Sequence, residues 1–273
     1  MYINGKSLKV KRYSSGELKF IKSDMDSYVV DGKVKILHDN KFSFFELLLV
    51  LNYYIKKNVL IDLVLGYLPY QRMDHKGRDE LDTLNYVIDI INNMNLNSVT
   101  VCEPHCDING FKNGKCFGYI DVVKEYVYKE IGFDIEKDIV VLTDKGGLKR
   151  YGNMSKNAVY FDKERDLNTG LIVKHSIVGN IDTNRNLLIV DDIISTGDTI
   201  VNIIEELTKL GAKKIFVLSG HIENNKYNKR IFDYENVIKV YSTNSLKKMG
   251  SKKLKLYDVK EIVYGKNSDK ENN

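Results

Sequence analysis

The feature that most limits what this chain can fold into is the stretch from Asn186 to Leu218. It opens with an unbroken apolar run, Leu187-Leu188-Ile189-Val190, and passes through Asp191-Asp192-Ile193-Ile194-Ser195-Thr196-Gly197-Asp198-Thr199. Apolar residues then recur at helical spacing as far as Leu210. Branched apolar residues without polar alternation belong to a strand buried on both faces, as in a parallel sheet covered by helices. Residues 186–190 are therefore expected as a strand and 199–210 as a helix stopped by Gly211, with 214–218 as the next strand. That is a βαβ crossover, and its first loop stands at the carboxyl end of a strand. In open parallel sheets this is where ligands bind.

The residue types in that loop suit two kinds of group at once. Asp191 and Asp192 present adjacent carboxylates, which accept hydrogen bonds from vicinal ribose hydroxyls. Ser195, Thr196, Gly197 and Thr199 follow just before a helix, with Asp198 among them. Their hydroxyls and backbone N–H groups, with the positive helix end, form an anion cradle suited to a phosphate. The competing reading is an ordinary helix cap made by Ser195 or Asp198. An apolar strand, two aspartates and Ser-Thr-Gly-x-Thr in register favour the ribose-phosphate reading.

The rest of the chain repeats the alternation of short apolar runs and helical patterns, which implies α/β layering. Strands are expected at 60–65, 98–102, 139–142, 158–161 and 171–177, and helices at 44–55, 81–94 and 122–131. With 273 residues, 43% of them hydrophobic, the chain can build two domains. We place them at 1–118 and 119–264, with a polar tail at 265–273. The net charge of +5 is modest and its lysines are scattered, which favours anionic small molecules over nucleic acid. The apolar stretch at 44–55 is interrupted by Glu46 and Asn52 and is too short to span a membrane. Three cysteines, Cys102, Cys106 and Cys116, cannot all pair, and no secretion signal is evident, so a reducing cytoplasm is expected. Their spacing around His105 matches no common structural zinc pattern.

On these residues the chain resembles the ribose-phosphate diphosphokinase family, built on the type I phosphoribosyltransferase fold. Val178-Gly179-Asn180-Ile181-Asp182 before the motif, Gly211-Ala212-Lys213-Lys214 after it, and Thr243-Asn244-Ser245 carry the likeness further. It runs from about Tyr13 to Ser245. The resemblance implies two tandem phosphoribosyltransferase-like domains, each a mainly parallel sheet flanked by helices. It implies transfer of the β,γ-diphosphate of ATP to the C1 hydroxyl of ribose 5-phosphate, with Mg²⁺. It also implies a homo-oligomer with the ATP site near a subunit interface.

The same resemblance assigns roles to other segments. Asp144-Lys145-Gly146-Gly147 is similar to the family's diphosphate loop, where Asp144, Gly146 and Gly147 would bind the diphosphate. Asp144 and His105, the latter in Glu103-Pro104-His105-Cys106-Asp107, match metal-binding positions. Tyr67 to Lys76 resembles the ATP-lining segment, which implicates Arg72 and Asp74. Tyr13-Ser14-Ser15-Gly16-Glu17 resembles a turn whose Tyr13 and Glu17 would reach the adenine of a neighbouring subunit. Lys163-Glu164-Arg165 falls on the family's catalytic flexible loop, so Lys163 and Arg165 would stabilise the transferring phosphoryl group.

Within the motif, Ser195 replaces the usual Asp, and Asp198 stands where Gly is often found. A related group of viral enzymes acts on ADP-ribose, and this acceptor is the alternative. A phosphoribosyltransferase or a non-catalytic regulatory paralogue is a further alternative. Tyr67 to Lys76 counts against the first of these, and retention of Lys163, Arg165, His105 and Asp144 against the second.

Overall fold

Strands without a polar face need helices on both sides of their sheet. The computed structural model describes residues 1–73, 81–165, 172–246 and 250–265; for 163–165 and 172–175 it describes the backbone. The chain divides into two compact units. One is Met1–Tyr119 with the described residues of Ser245–Lys247 and Asp258–Asn273; the other is Ile120–Asn244 with the described residues of Lys248–Tyr257.

The first unit begins with the short strands β1 (Tyr2–Ile3), β2 (Lys6–Ser7), β3 (Lys11–Arg12) and β4 (Leu18–Lys19), followed by α1 (Lys22–Asp26). Then come β5 (Lys33–His38), α2 (Phe44–Ile55), β6 (Leu60–Leu65), α3 (Thr83–Asn92), β7 (Ser98–Cys102) and β8 (Gly114–Phe117). The sheet has the order β2-β1-β5-β6-β7-β8, with β5 to β8 parallel and β1 antiparallel to β5. β3 and β4 pair separately as a hairpin.

Local chemistry sets the helix starts. Ser43 and Glu46 exchange side-chain and backbone hydrogen bonds at the start of α2, at 3.2 and 2.7 Å, which is a capping box. Asp82 caps α3 by accepting from the backbone N–H of Asn85, so this helix starts two residues later than its apolar pattern suggests. One sheet face packs Ile36, Leu63, Val99 and Val101 with Leu47 and Leu51 of α2 and Leu84, Val87 and Ile91 of α3.

The second unit contains α4 (Tyr119–Ile131, from its second residue), β9 (Ile139–Leu142), α5 (Lys145–Tyr151), β10 (Asn157–Arg165) and β11 (Ile172–Val178). It continues with β12 (Leu187–Ile194), α6 (Asp198–Lys209), β13 (Ile215–Ile222), β14 (Val237–Thr243) and β15 (Leu254–Tyr257). The order is β11-β10-β9-β12-β13-β14-β15, all parallel except β11, which runs against β10. Every residue of β13 is buried, and so is every residue of β12 but Asp191. Ile200, Ile203, Ile204 and Leu207 of α6 cover Ile189 and Val217 on one face. Gly211, at φ 89°, ends α6 by donating to the carbonyl of Thr208 while Ala212 donates to that of Leu207. The chain then returns to the first unit as α7 (Val259–Tyr264), where Val259 packs against Leu37, Val64, Cys102 and Tyr119. The sequence pattern had left this segment with the second domain.

Three expected boundaries move, each for a physical reason. β12 runs on through Asp191 and Asp192 to Ile194 because its ladder with β13 continues, Asp191 opposite Ser219 and Ile193 opposite His221. The acidic pair therefore stands on a strand rather than in a loop. Lys163–Arg165, expected in a loop, extend β10, because β11 pairs back along it with Lys163 opposite His175. Gly146 and Gly147, expected in a loop, form the first turn of α5. No helix among the described residues is long and apolar enough to cross a membrane.

Ile204 is fully buried between α6 and the sheet. Ile204→Ala is expected to destabilise the second unit by about 2–5 kcal/mol, read as a lower urea midpoint by circular dichroism.

Candidate functional site

The carboxyl ends of β9, β12 and β13 lie side by side in the second unit and carry its polar chemistry. Asp192 is 2% exposed and receives the Arg150 guanidinium of α5 at 2.7 Å. Its neighbour Asp191 accepts from the Thr143 hydroxyl at 3.2 Å and from the backbone N–H of Asp192 at 3.0 Å. Burial, then the charge of Asp192, pushes the Asp191 carboxyl up to about 7; Asp144 adds to this, and the Thr143 bond opposes it. The pair thus carries less negative charge than two free aspartates.

Beyond β12 the chain turns through Ser195, Thr196 and Gly197 into α6. Gly197 is the N-cap at φ 81°, and no side chain caps the helix there. A Cβ on Gly197 would lie 3.0 Å from Asn228 Cα and 3.1 Å from Ile231 Cδ1, so both backbone conformation and space require glycine. The first N–H groups of α6 have no partner within the helix and are the donors an anion would meet. Asp198 turns to the rim, where Thr196 Oγ1 donates to it at 2.6 Å and Arg230 forms an ion pair. Those two contacts hold its carboxyl below the usual carboxylate range. The capping role considered for Ser195 and Asp198 is not what they do.

A second loop, beyond β13, grips the first. Glu223 donates its N–H to Ile194 at 2.9 Å, and Ser195 Oγ donates to Glu223 Oε2 at 2.8 Å. Asn225 and Asn228 both donate side-chain N–H groups to the Ser195 carbonyl, at 2.7 and 3.0 Å. The sequence reading missed Thr143, Arg150, Glu223, Asn225, Asn228 and Arg230. Only Glu223 carried a usable signal, as an acidic residue one step past a buried apolar strand.

Asp144 caps α5: its Oδ1 accepts from Gly147 N–H at 2.8 Å. That N–H is therefore engaged, and the paired glycines do not form an open amide loop. Among the described residues, no three His, Cys, Asp or Glu side chains converge as a metal cluster. Asp144 by itself offers a carboxylate of the kind Mg²⁺ takes, since that ion needs one or two and completes its shell with phosphates and water. Cys102 is a poor metal ligand, because burial pushes its thiol up to about 12.

In the first unit, the segments bearing Arg72 and His105 meet through Gln71. This fully buried residue accepts the His105 backbone N–H at 2.9 Å on its Oε1. Tyr70 and Glu103, at φ 63° and 43°, hold left-handed backbone conformations beside these residues. Such strain is common at binding sites. Arg72 is exposed and His105 partly buried. Tyr13 and Glu17 form their own turn: Tyr13 N–H donates to the Glu17 carbonyl at 2.9 Å, and Ser15 Oγ donates to Glu17 Oε2 at 2.8 Å. Asp74 lies outside the described residues, as do the side chains of Lys163 and Arg165.

Two sheets of this design, one ending in an acidic pair and a glycine-capped helix start, define tandem phosphoribosyltransferase-like domains. A phosphoribosylpyrophosphate synthetase from Mycobacterium smegmatis has the same fold, with a TM-score of 0.74 over 94% of this chain and 87% of that one, at 19% identity. No protein-family model matches the chain. It is 30% identical over 217 residues to a ribose-phosphate pyrophosphokinase of Sulfurisphaera tokodaii, covering 77% of this chain and 74% of that one. It is 27% identical over 237 residues to the Haemophilus ducreyi protein of the same name, covering 81% and 72%. The chain belongs to the ribose-phosphate pyrophosphokinase family and is a transferase.

The Asp191 carboxyl gives up its proton near 3.8 when unfolded but keeps it to about 7 in the fold. The folded state therefore binds more protons between these values, and its stability falls as pH rises through that window. Asp191→Asn is expected to flatten this decline by a few kcal/mol, on the order of the linkage for a buried carboxyl. Urea midpoints measured across the window check it; a slope unchanged by the substitution would contradict it.

Proposed function

We propose that the chain transfers the β,γ-diphosphate of ATP to the C1 hydroxyl of ribose 5-phosphate, giving phosphoribosyl pyrophosphate and AMP. The observation that carries this reading is the continuity of one strand end: an acidic pair, a serine-threonine turn and a helix start at Gly197 that no side chain caps. A ribose bearing a 5′-phosphate matches that order of groups. Asp191 and Asp192 would hold the ribose hydroxyls. Ser195, Thr196, Gly197 and Thr199 would hold the phosphate, with Asp198 at the rim.

The remaining roles rest on family membership together with position. Arg72, Asp74, Tyr13 and Glu17 would bind ATP, the last two across a subunit interface of a homo-oligomer. Gly146 would approach the diphosphate, while Gly147 would do so only if its N–H left Asp144. Asp144 and His105 would each offer Mg²⁺ a ligand, and the bound cation would neutralise charge on the donor's phosphates. Lys163 and Arg165 would steady the transferring group. Phosphoryl transfer is chiefly positioning and charge neutralisation, so no covalent nucleophile is needed. A cytoplasmic setting, where ATP and sugar phosphates occur, fits this chemistry.

The second reading keeps the chemistry and changes the acceptor to a 5′-extended ribose such as ADP-ribose. It is favoured by the carboxylates of Asp198 and Glu223 beside the cradle, which suit a phosphate bearing one charge better than a dianion. Arg230 offsets Asp198, which supports ribose 5-phosphate as the first choice.

With Mg²⁺ and ATP, AMP is expected to appear with ribose 5-phosphate, followed by chromatography. No AMP with either acceptor refutes the transfer, and AMP with ADP-ribose alone replaces the acceptor. Separately, Lys163→Ala is expected to lower kcat by about a hundredfold or more while acceptor binding by calorimetry persists. An unchanged kcat removes Lys163 from the mechanism.

A further inference from the structure

The proposed transfer requires the acceptor's C1 hydroxyl to lose a proton, and the strand ends offer several carboxylates to take it. Each of them has partners, so what separates them is where they reach. Asp192 is bound to Arg150, Asp144 to the helix it caps, and Asp198 to Arg230 at the exposed rim. Asp191 belongs to the pair that holds the ribose in this reading, and it accepts from the Thr143 hydroxyl and the Asp192 N–H. Glu223 is different in kind. It comes from the neighbouring strand and reaches the first residue of the cradle, where its Oε2 receives the Ser195 hydroxyl proton at 2.8 Å.

We propose that Glu223 takes up, through the Ser195 hydroxyl, the proton of the acceptor hydroxyl that attacks the donor's β-phosphorus. A serine hydroxyl that donates to a carboxylate keeps two acceptor lone pairs, so it can receive a hydrogen bond from a sugar hydroxyl. Ser195 stands between Asp191–Asp192, which would hold the ribose hydroxyls, and the turn that would hold its phosphate. A sugar fastened at both ends lies across it. The serine is also held still: Asn225 and the fully buried Asn228 fix its carbonyl, and Glu223 N–H fixes the residue before it.

The step balances. The acceptor oxygen forms a bond to the β-phosphorus while the bond from that phosphorus to the α-phosphate oxygen breaks. AMP leaves with that electron pair. The acceptor's proton passes to Ser195 Oγ as the Ser195 proton passes to Glu223, which later releases it to water. Glu223 acts through the serine, so it is a positioning and proton-accepting residue rather than one that touches the sugar.

This inference rests on the transferase reading above, and the experiment separates the two. AMP release is measured for the full chain with Mg²⁺, ATP and whichever acceptor supports turnover; a wild type that releases none refutes the reading itself. Given wild-type turnover, Glu223→Gln and Ser195→Ala are each expected to lower kcat by about a hundredfold, the usual worth of a proton acceptor. For Glu223→Gln the KM values for ATP and acceptor should stay within about twofold, since Glu223 touches neither substrate; for Ser195→Ala this holds for ATP. The double variant should be no slower than either single variant, because both remove one relay. Ser195→Asp in the Glu223→Gln background should recover at least about a tenth of the rate by putting a carboxylate directly at the sugar. A Glu223→Gln enzyme with unchanged kcat, losses that multiply in the double variant, or no recovery with Ser195→Asp would each overturn the proposal. Thermal melts confirm folding, and Glu223→Asp, which keeps the carboxylate, should retain more activity than Glu223→Gln.

Discussion

The second unit is organised around one electrostatic constraint: two adjacent carboxylates stand at the end of a strand that water barely reaches. Burying one carboxylate is costly and burying two side by side more so. The fold answers with a cation and a hydroxyl from the segment after the neighbouring strand. Arg150 meets Asp192, and Thr143 meets Asp191. Both donors follow β9, which the sheet order places directly beside β12. α5 is therefore more than a cover for the sheet. Its Asp144 cap fixes where the helix starts, and about a turn and a half later that start delivers Arg150 to the acidic pair.

The opposite flank of β12 is treated in the same way. β13 continues one step past its last strand residue to place Glu223 against Ser195. The asparagines that follow tie the two loops together. A ligand arriving at this strand end thus meets groups already held by backbone and side-chain bonds, a condition under which polar groups discriminate well.

What was legible in the sequence was local. Leu187 to Val190 announced a buried strand, Gly211 a helix end, and Thr199 onward a helix, because each signal lies within a few residues. Errors arose where a distant partner decides. Asp191 and Asp192 read as loop residues because acidic side chains are rare in strands, yet the ladder to Ser219 and His221 carries the strand through them. Lys163 to Arg165 read as a solvated loop, yet β11 pairs back along them. The grip of Glu223, Asn225 and Asn228 on Ser195 spans about thirty residues of chain and has no periodic trace. Family resemblance supplied Arg72, His105 and Asp144, which composition and spacing alone would have left as a surface cation, a stray histidine and a turn.

The return of α7 to the first unit has a consequence for how the chain is made. Val259 completes a buried cluster with Leu37, Val64 and Tyr119, more than a hundred residues behind it in order of synthesis. Domains often fold as they emerge from the ribosome, earliest residues first. Here Leu37, Val64 and Cys102 have Tyr119 beside them early, but gain α7 only after the second unit has been threaded out. The first unit is thus sealed only once the chain of the second has been made.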